Sequence, residues 1–236
     1  MTTALITGAT RGLGLETTHH LAALGWTVWL GARDAARGHD VAEKIRVDDP
    51  AADVRVLTLD VTSDESVAAA AATVAEADTG LDVLVNNAGI AGTHAGPQDT
   101  VPADFLPVYA VNLLGPVRVS HAFLPLLRRS DDPRLVMVSS GLGSFGRTAD
   151  PDRVESTIWG IVYPSSKAAL NMVTTMYAKA LPDVRVVAVD PGYTATGLNG
   201  FTGTQTIEEG AEAIVAACTA EVLAGPFIDR RGAVPW

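Results

Sequence analysis

Tyr163 and Lys167 stand four residues apart in the stretch VYPSSKAAL. On a helix that spacing brings both side chains to one face. Pro164 is tolerated only in a first helical turn, so a helix is expected to begin near Tyr163, with the phenol at its mouth and the ammonium one turn deeper. A phenol, with an ordinary pKa of about 10, is a poor proton carrier at neutral pH. A neighbouring ammonium favours the phenolate and lowers that value. A phenol tuned in this way can give a proton to a carbonyl oxygen or take one from an alcohol. The same two residues also suit a core aromatic and a snorkelling surface cation, so the chemistry depends on what the rest of the chain builds around them.

A second candidate is the turn TGATRGLG, Thr7 to Gly14. Its glycines do not follow the G-x-G-x-x-G spacing of the usual dinucleotide fingerprint. They suit the same task, because a tight turn, close backbone approach to a pyrophosphate and an open helix N-terminus all favour residues without a Cβ. Gly8, Thr10, Arg11, Gly12, Leu13 and Gly14 are therefore candidate cofactor contacts. A plain strand-to-helix turn is the competing reading. Some 20 residues on, where an NAD site places Asp or Glu for the ribose hydroxyls, the chain has Ala32 and then Arg33. An Arg there pairs with a 2′-phosphate that an acid would repel, and Arg11 adds a second positive charge. NADP(H) is accordingly preferred over NAD(H). Asp34 reads as the cap of the next helix. Asp60 and Val61 could hold adenine, although an Asp capping the following helix reads the same way. In NNAG, Asn87 can bind backbone across a turn, and the small Ala88 and Gly89 leave room for a ligand.

These residues need a frame. Short apolar runs are expected as strands at Ala4–Thr7, Thr27–Leu30, Val54–Leu59, Val83–Asn86, Leu135–Ser139, Val184–Val189 and Phe227–Ile228. Helical patterns lie between them at about Gly12–Leu24, Asp34–Val47, Asp64–Ala77, Ala103–Arg128, Tyr163–Leu181 and Ile207–Ala220. Continuously apolar strands separated by helices indicate parallel pairing with both sheet faces covered. The expected fold is α/β: a single-domain, Rossmann-type doubly wound parallel sheet of seven strands, with ligands beyond the strands' carboxyl ends.

Taken in order, TGxxxGxG at 7–14, NNAG at 86–89, Asn112, Ser140, YxxxK at 163–167 and PGxTxT at 191–196 resemble the short-chain dehydrogenase/reductase family along nearly the whole chain. The LGARD and DVLVNNAGIA stretches are most similar to its NADPH-dependent carbonyl reductase branch. The resemblance implies hydride transfer between NADP(H) and a carbonyl or alcohol, with Tyr163 as acid/base and Ser140 bonding the substrate oxygen. It implies that Lys167 also holds the nicotinamide ribose, and that Asn112 sits in an interrupted helix and holds a proton-relaying water. Pro191, Gly192, Thr194 and Thr196 would bind the cofactor, with Thr194 on the carboxamide. Two rivals stand beside this: an NAD-dependent secondary-alcohol dehydrogenase, and a non-catalytic NADP(H)-sensing regulatory protein.

The stretch from Gly141 to Val162 is roughly ten residues longer than in common members of that family. It reads either as a surface excursion or as a wall of the substrate pocket lined by Phe145 and Trp159. In the carbonyl reductase branch an insertion here can obstruct a helix-pairing surface used for tetramers, which leaves monomer, dimer and larger homo-oligomer open. A short Gly/Thr-rich flap is expected at about 197–206, with Phe201 its one large contact. His94, Leu142 and Tyr193 complete the candidate lining.

Composition narrows the alternatives. A formal net charge of −10 opposes nucleic-acid binding through a broad basic face. The five histidines lack zinc-site spacing, so no metal is expected. Cys218 is the lone cysteine and reads as buried filler. The N-terminal residues carry no charged leader, and no unbroken apolar run reaches membrane-spanning length. A cytoplasmic protein without membrane partners is the expectation.

Overall fold

The computed structural model describes residues 1–77 and 80–236. Every apolar run expected as a strand forms one: β1 Thr3–Ile6, β2 Thr27–Ala32, β3 Asp53–Thr58, β4 Val83–Asn86, β5 Arg134–Val138, β6 Arg185–Val189 and β7 Phe227–Asp229. They pair in parallel in the order β3-β2-β1-β4-β5-β6-β7. A two-residue strand, β8 Gly232–Ala233, adds an antiparallel edge that the expectation of seven strands lacked. It is too short to carry a periodic signal.

The side-chain period of two assigns alternate residues to opposite faces. Ala4 and Ile6 join Val28, Leu30, Val136 and Val187 on one face, while Leu5 joins Trp29, Leu84, Leu135 and Met137 on the other. The first face is covered by α1 Gly12–Ala23, α2 Ala35–Asp48 and α8 Ile207–Thr219, through Leu21, Ile45 and Ile214. Cys218 is buried there as filler. The second face is covered by α3 Asp64–Glu76, α5 Gly115–Leu127 and α7 Val162–Ala180, through Val67, Phe123 and Leu170. Caps set the helix starts. Asp34 accepts from the Arg37 N–H, as expected, and Ser63, not Asp60, caps α3. Thr206 and Glu209 form a reciprocal capping box on α8.

The long helix preceding β5 is not uniform. It comprises α4 Pro102–Tyr109, a π-turn at Ala110–Leu114 and α5, and the Gly115 N–H reaches back five residues to the Ala110 carbonyl. As one 26-residue stretch, Pro102–Leu127 is long and apolar enough to cross a membrane by length and composition. This corrects the expectation drawn from unbroken apolar runs. The same composition serves a core helix, and here Val119, Phe123, Leu126 and Leu127 are buried against the sheet.

The inserted segment folds into a 3-10 turn at Gly141–Gly143, α6 Phe145–Thr148 and a second 3-10 turn at Val154–Thr157. It is anchored, not a free excursion. Ser144 Oγ donates to the Pro235 carbonyl at 2.6 Å, and the Gly146 N–H donates to the Trp236 carbonyl at 2.9 Å. The Trp236 ring stacks on Phe227 with centroids 5.2 Å apart. Arg147 pairs with Asp190 at the end of β6 and with Asp229 on β7.

Candidate active site

The carboxyl ends of β1 and β4 are bolted together. Thr7 Oγ1 accepts from the Asn87 and Ala88 N–H groups, both at 2.9 Å, and Asn87 Nδ2 donates to the Thr7 carbonyl at 2.8 Å and the Gly8 carbonyl at 3.2 Å. Packing explains two glycines. A Cβ on Gly8, whose φ is +64°, would come within 3.0 Å of the Ala88 Cα. One on Gly14 would stand 2.4 Å from Asn87 Nδ2 and 2.8 Å from the Gly8 carbonyl oxygen. The α1 N-terminus, following Arg11, carries no side-chain cap, whereas α2, α3 and α8 are all capped. Its N–H groups, with Thr10, Gly12 and Leu13 in the turn, therefore fit a dinucleotide pyrophosphate.

The adenosine end follows from β2 and β3. Arg33, exposed after β2, and Asp60, after β3, lie near one another. Hydrogen bonds from Thr62, helped by the more distant Arg33 charge, hold the Asp60 carboxyl below its ordinary range. Val61 is buried, and a Cβ on Gly115 would come within 3.0 Å of its Cγ2. Arg11 and Arg33 are both exposed, and among the described residues neither guanidinium makes a hydrogen bond or salt bridge. A phosphate-bearing ribose would find them unengaged.

The PGxTxT segment comes back toward the glycine turn, with Thr196 Cγ2 3.7 Å from where a Gly12 Cβ would stand. Thr194 is buried and donates to the Pro191 carbonyl at 3.1 Å. The loop after it is closed, not splayed. Thr194 bridges Gln205, the Gln205 N–H donates to the Tyr193 carbonyl at 3.0 Å, and Tyr193 Oη meets Thr202 Oγ1 at 2.6 Å. Gly192 takes a positive φ of +75°, which favours glycine, and the end of the Gln205 side chain lies over it. Phe201 takes a positive φ of +63° and its side chain is exposed.

Ser140 and Tyr163 are brought together by the end of β5 and the first turn of α7, with the Ser140 hydroxyl near enough to the phenol to favour its ionised form. Lys167, buried one turn further on, sends Nζ to the Val138 carbonyl at 2.8 Å and keeps it 5.6 Å from the centre of the Tyr163 ring. Gly89 and Asn112 close the same space. A Cβ on Gly89 would lie 3.6 Å from Asn112 Oδ1 and 3.8 Å from Lys167 Nζ. Asn112 falls in the π-turn, as the interrupted-helix expectation required. Its side chain is tied to both backbone groups of Ile90 at 2.9 Å and to Ser166 Oγ at 3.1 Å.

Two expectations change. In the chain itself burial pushes the Tyr163 phenol above its ordinary value; the Ser140 hydroxyl opposes this, and the Asp190 carboxylate adds to it. The ammonium that was to acidify the phenol is directed at a backbone carbonyl. Burial pulls Lys167 down to about 8, with Asp190 opposing. The proposed pocket wall also differs, because Phe145 is 76% and Trp159 77% exposed. Residues the motifs did not single out complete the frame. The Ser139 hydroxyl bonds Asn171 Oδ1, while Asn171 Nδ2 donates to the Gly143 carbonyl at 3.0 Å, pinning β5, α7 and the 3-10 turn together. A buried Ser–Asn pair has no local sequence signal.

Comparison with known proteins gives a consistent result. A family model described as short chain dehydrogenase matches residues 2–207. A curated relative, short-chain dehydrogenase anuI of Penicillium roqueforti, is 36% identical over 222 residues, covering 91% of this chain and 87% of that protein. The (+)-neomenthol dehydrogenase of Arabidopsis thaliana is 32% identical over 283 residues, covering 97% and 96%. Among solved structures, NADPH-bound carbonyl reductase from chicken fatty liver superposes with a TM-score of 0.84 at 28% identity, covering 99% of this chain and 98% of that one.

Proposed function

The chain belongs to the short-chain dehydrogenase family and is an oxidoreductase of that kind; on that premise we propose that it is an NADP(H)-dependent carbonyl reductase with Tyr163 as general acid/base. The observation that carries this reading is the buried Lys167, its Nζ 5.6 Å from the Tyr163 ring centre and beside Gly89 and Asn112, with Ser140 next to the phenol. The preference for the phosphorylated cofactor rests on the two unengaged guanidiniums of Arg11 and Arg33. The NADPH bound to the chicken carbonyl reductase supports the same choice by analogy.

When bound, the nicotinamide supplies the hydride. The chain supplies the rest. Ser140 donates a hydrogen bond to the carbonyl oxygen and orients it toward Tyr163. Tyr163, which burial keeps protonated, gives its proton to that oxygen as negative charge develops there. The phenolate left behind is stabilised by the Lys167 ammonium and by the retained Ser140 hydroxyl. Lys167 carries its charge below about pH 8 and loses it above, so the reducing form of the pair is the form present at neutrality. Asn112 holds Ile90 and Ser166, and with them the wall that keeps Lys167 in place.

Steady-state reduction of a broad panel of aliphatic and aromatic ketones and aldehydes with NADPH tests the proposal. Tyr163→Phe is expected to lower turnover by about 10²–10⁴-fold with NADPH affinity nearly unchanged. Turnover of the native chain no faster than that variant across the panel counts decisively against it. Tight cofactor binding without turnover would point to the sensing protein instead.

A further inference from the structure

Arg147 occupies α6 of the inserted segment and is 7% exposed. Its Nη1 pairs with Asp190 Oδ2, its Nη2 with Asp229 Oδ2, and Glu155 Oε1 lies 3.5 Å from Nη1. Arg147 thus faces three carboxylates with little exposure, and a second cation, Arg153, lies 3.6 Å from Glu155 Oε2 on the outer side. Burial pushes the Asp190 carboxyl above its ordinary range, and the Gly192 N–H and the Arg147 guanidinium oppose that shift.

This cluster lies against the catalytic residues. A Cβ on Gly141, the residue after Ser140, would come within 2.5 Å of Glu155 Oε1, 2.9 Å of Asp190 Oδ2 and 3.2 Å of Arg147 Nη1. Two residues on, a Cβ on Gly143 would stand 2.7 Å from the Lys167 carbonyl carbon. The 3-10 turn that follows Ser140 is therefore pressed between the ion cluster and the helix bearing Lys167. Asp190 also accepts from the Gly192 N–H at 3.0 Å. One carboxylate thereby lies against the turn presenting Ser140 and is bonded to the turn presenting Thr194.

We infer that Arg147 is a positioning residue for proton transfer: it holds the Asp190 carboxylate ionised, and that carboxylate fixes the Ser140 turn and keeps Lys167 in its ammonium form. This rests on the assignment of Tyr163 and Lys167 as the proton-transfer pair. Asp190 is the charge that opposes the effect of burial on Lys167. The groups facing the pair are Asp190 from β6 and, through it, Arg147 and Glu155 from the insertion and Asp229 from β7. β4 and the π-turn contribute the neutral Gly89 and Asn112. Without Arg147, Asp190 takes a proton, its support for the ammonium vanishes, and Lys167 loses its charge at lower pH. The alkaline limit of activity then moves downward.

The chain's lysines are Lys44, Lys167 and Lys179, so carbon-13 lysine NMR of the cofactor-free protein reads Lys167 directly, with Lys44→Arg and Lys179→Arg for assignment. Asp190→Asn is expected to lower the Lys167 midpoint from about 8. Arg147→Met should lower it to the same value, the double variant should lower it no further, and Arg147→Lys should restore it. In ketone reduction with NADPH, Asp190→Asn and Arg147→Met should lose kcat more than KM near pH 8, by roughly tenfold for each pH unit that the midpoint falls. They should recover toward native turnover as the pH drops. A Lys167 midpoint unchanged or raised in Asp190→Asn overturns the inference, as does a pH-independent loss in Arg147→Met. Should Arg147→Met not fold, Asp190→Asn decides alone. A native chain without turnover defeats the proposed reaction but leaves the Lys167 titration to judge the ion relay, so the two failures are distinct.

Discussion

The β1–β4 half of the sheet's carboxyl edge is closed by uncharged contacts, whereas the β5–β7 half is closed by buried ions. On the first side Thr7, Asn87 and Ala88 interlock through neutral hydrogen bonds, and Gly8 and Gly14 allow the backbones to touch. On the second side Arg147, Asp190, Glu155 and Asp229 share one buried site, and Gly141 makes room for it. Neutral hydrogen bonds contribute about 1 kcal/mol each and do not change with pH. Buried ions are strongly conditional on their partners and on proton uptake. The comparison teaches that the proposed cofactor cradle is built to be indifferent to pH, while the frame around the proposed proton donor responds to it.

The largest effect is expected from matched substitutions in the two halves. Gly14→Ala forces a methyl onto the Gly8 carbonyl oxygen, a backbone atom that cannot turn aside, and should destabilise the chain by about 1–3 kcal/mol. NADPH affinity should fall more than tenfold. Gly141→Ala should lower kcat about tenfold and leave NADPH affinity within a few fold of native. Thermal melts with isothermal titration of NADPH separate the two, and equal loss of cofactor affinity in both variants would erase the distinction. Next comes Arg33→Ala, which removes a charge-assisted contact of about 1.5–3 kcal/mol. NADPH binding should weaken by roughly ten- to a hundredfold with NADH binding nearly constant, and parallel losses for both cofactors would show that Arg33 does not read the 2′-phosphate. The smallest effect is expected at Thr206→Ala, which opens the capping box of α8 beside the Gln205 bridge. It should cost about 1 kcal/mol in chemical denaturation, with kcat/KM lowered no more than a few fold.

The uncharged half was readable in the sequence because its parts are local. The glycine turn, the NNAG turn and the strands they follow each occupy a few consecutive residues, and strand ends fell within a residue or two of those expected. The i, i+4 pair on α7 likewise follows from nearby residues, whereas the interrupted helix at Asn112 was expected only from the family resemblance. The ionic half was not readable. Arg147 finds its partners 43 and 82 residues away, and nothing in GLGSFGRTAD says that its arginine will be buried. The exposure of Phe145 and Trp159 has the same origin. Apolar side chains near a site suggest lining, but the path of the insertion is set by Ser144, Gly146 and Arg147 gripping the C-terminal tail and β7. The direction of the Tyr163 shift was misjudged because burial depends on the whole fold and here outweighs the one cation named by the motif.

The interlock at Thr7 has a kinetic corollary. With its hydroxyl accepting from two neighbours on the β4 turn, and Asn87 returning two bonds to the β1 turn, the proposed floor beneath a bound dinucleotide is tied together as one unit. Entry and departure are then expected to be timed by the roof. That roof is the loop pinned by the Thr194–Gln205 bridge and the Tyr193–Thr202 contact, so residence time should be adjustable there without disturbing the floor.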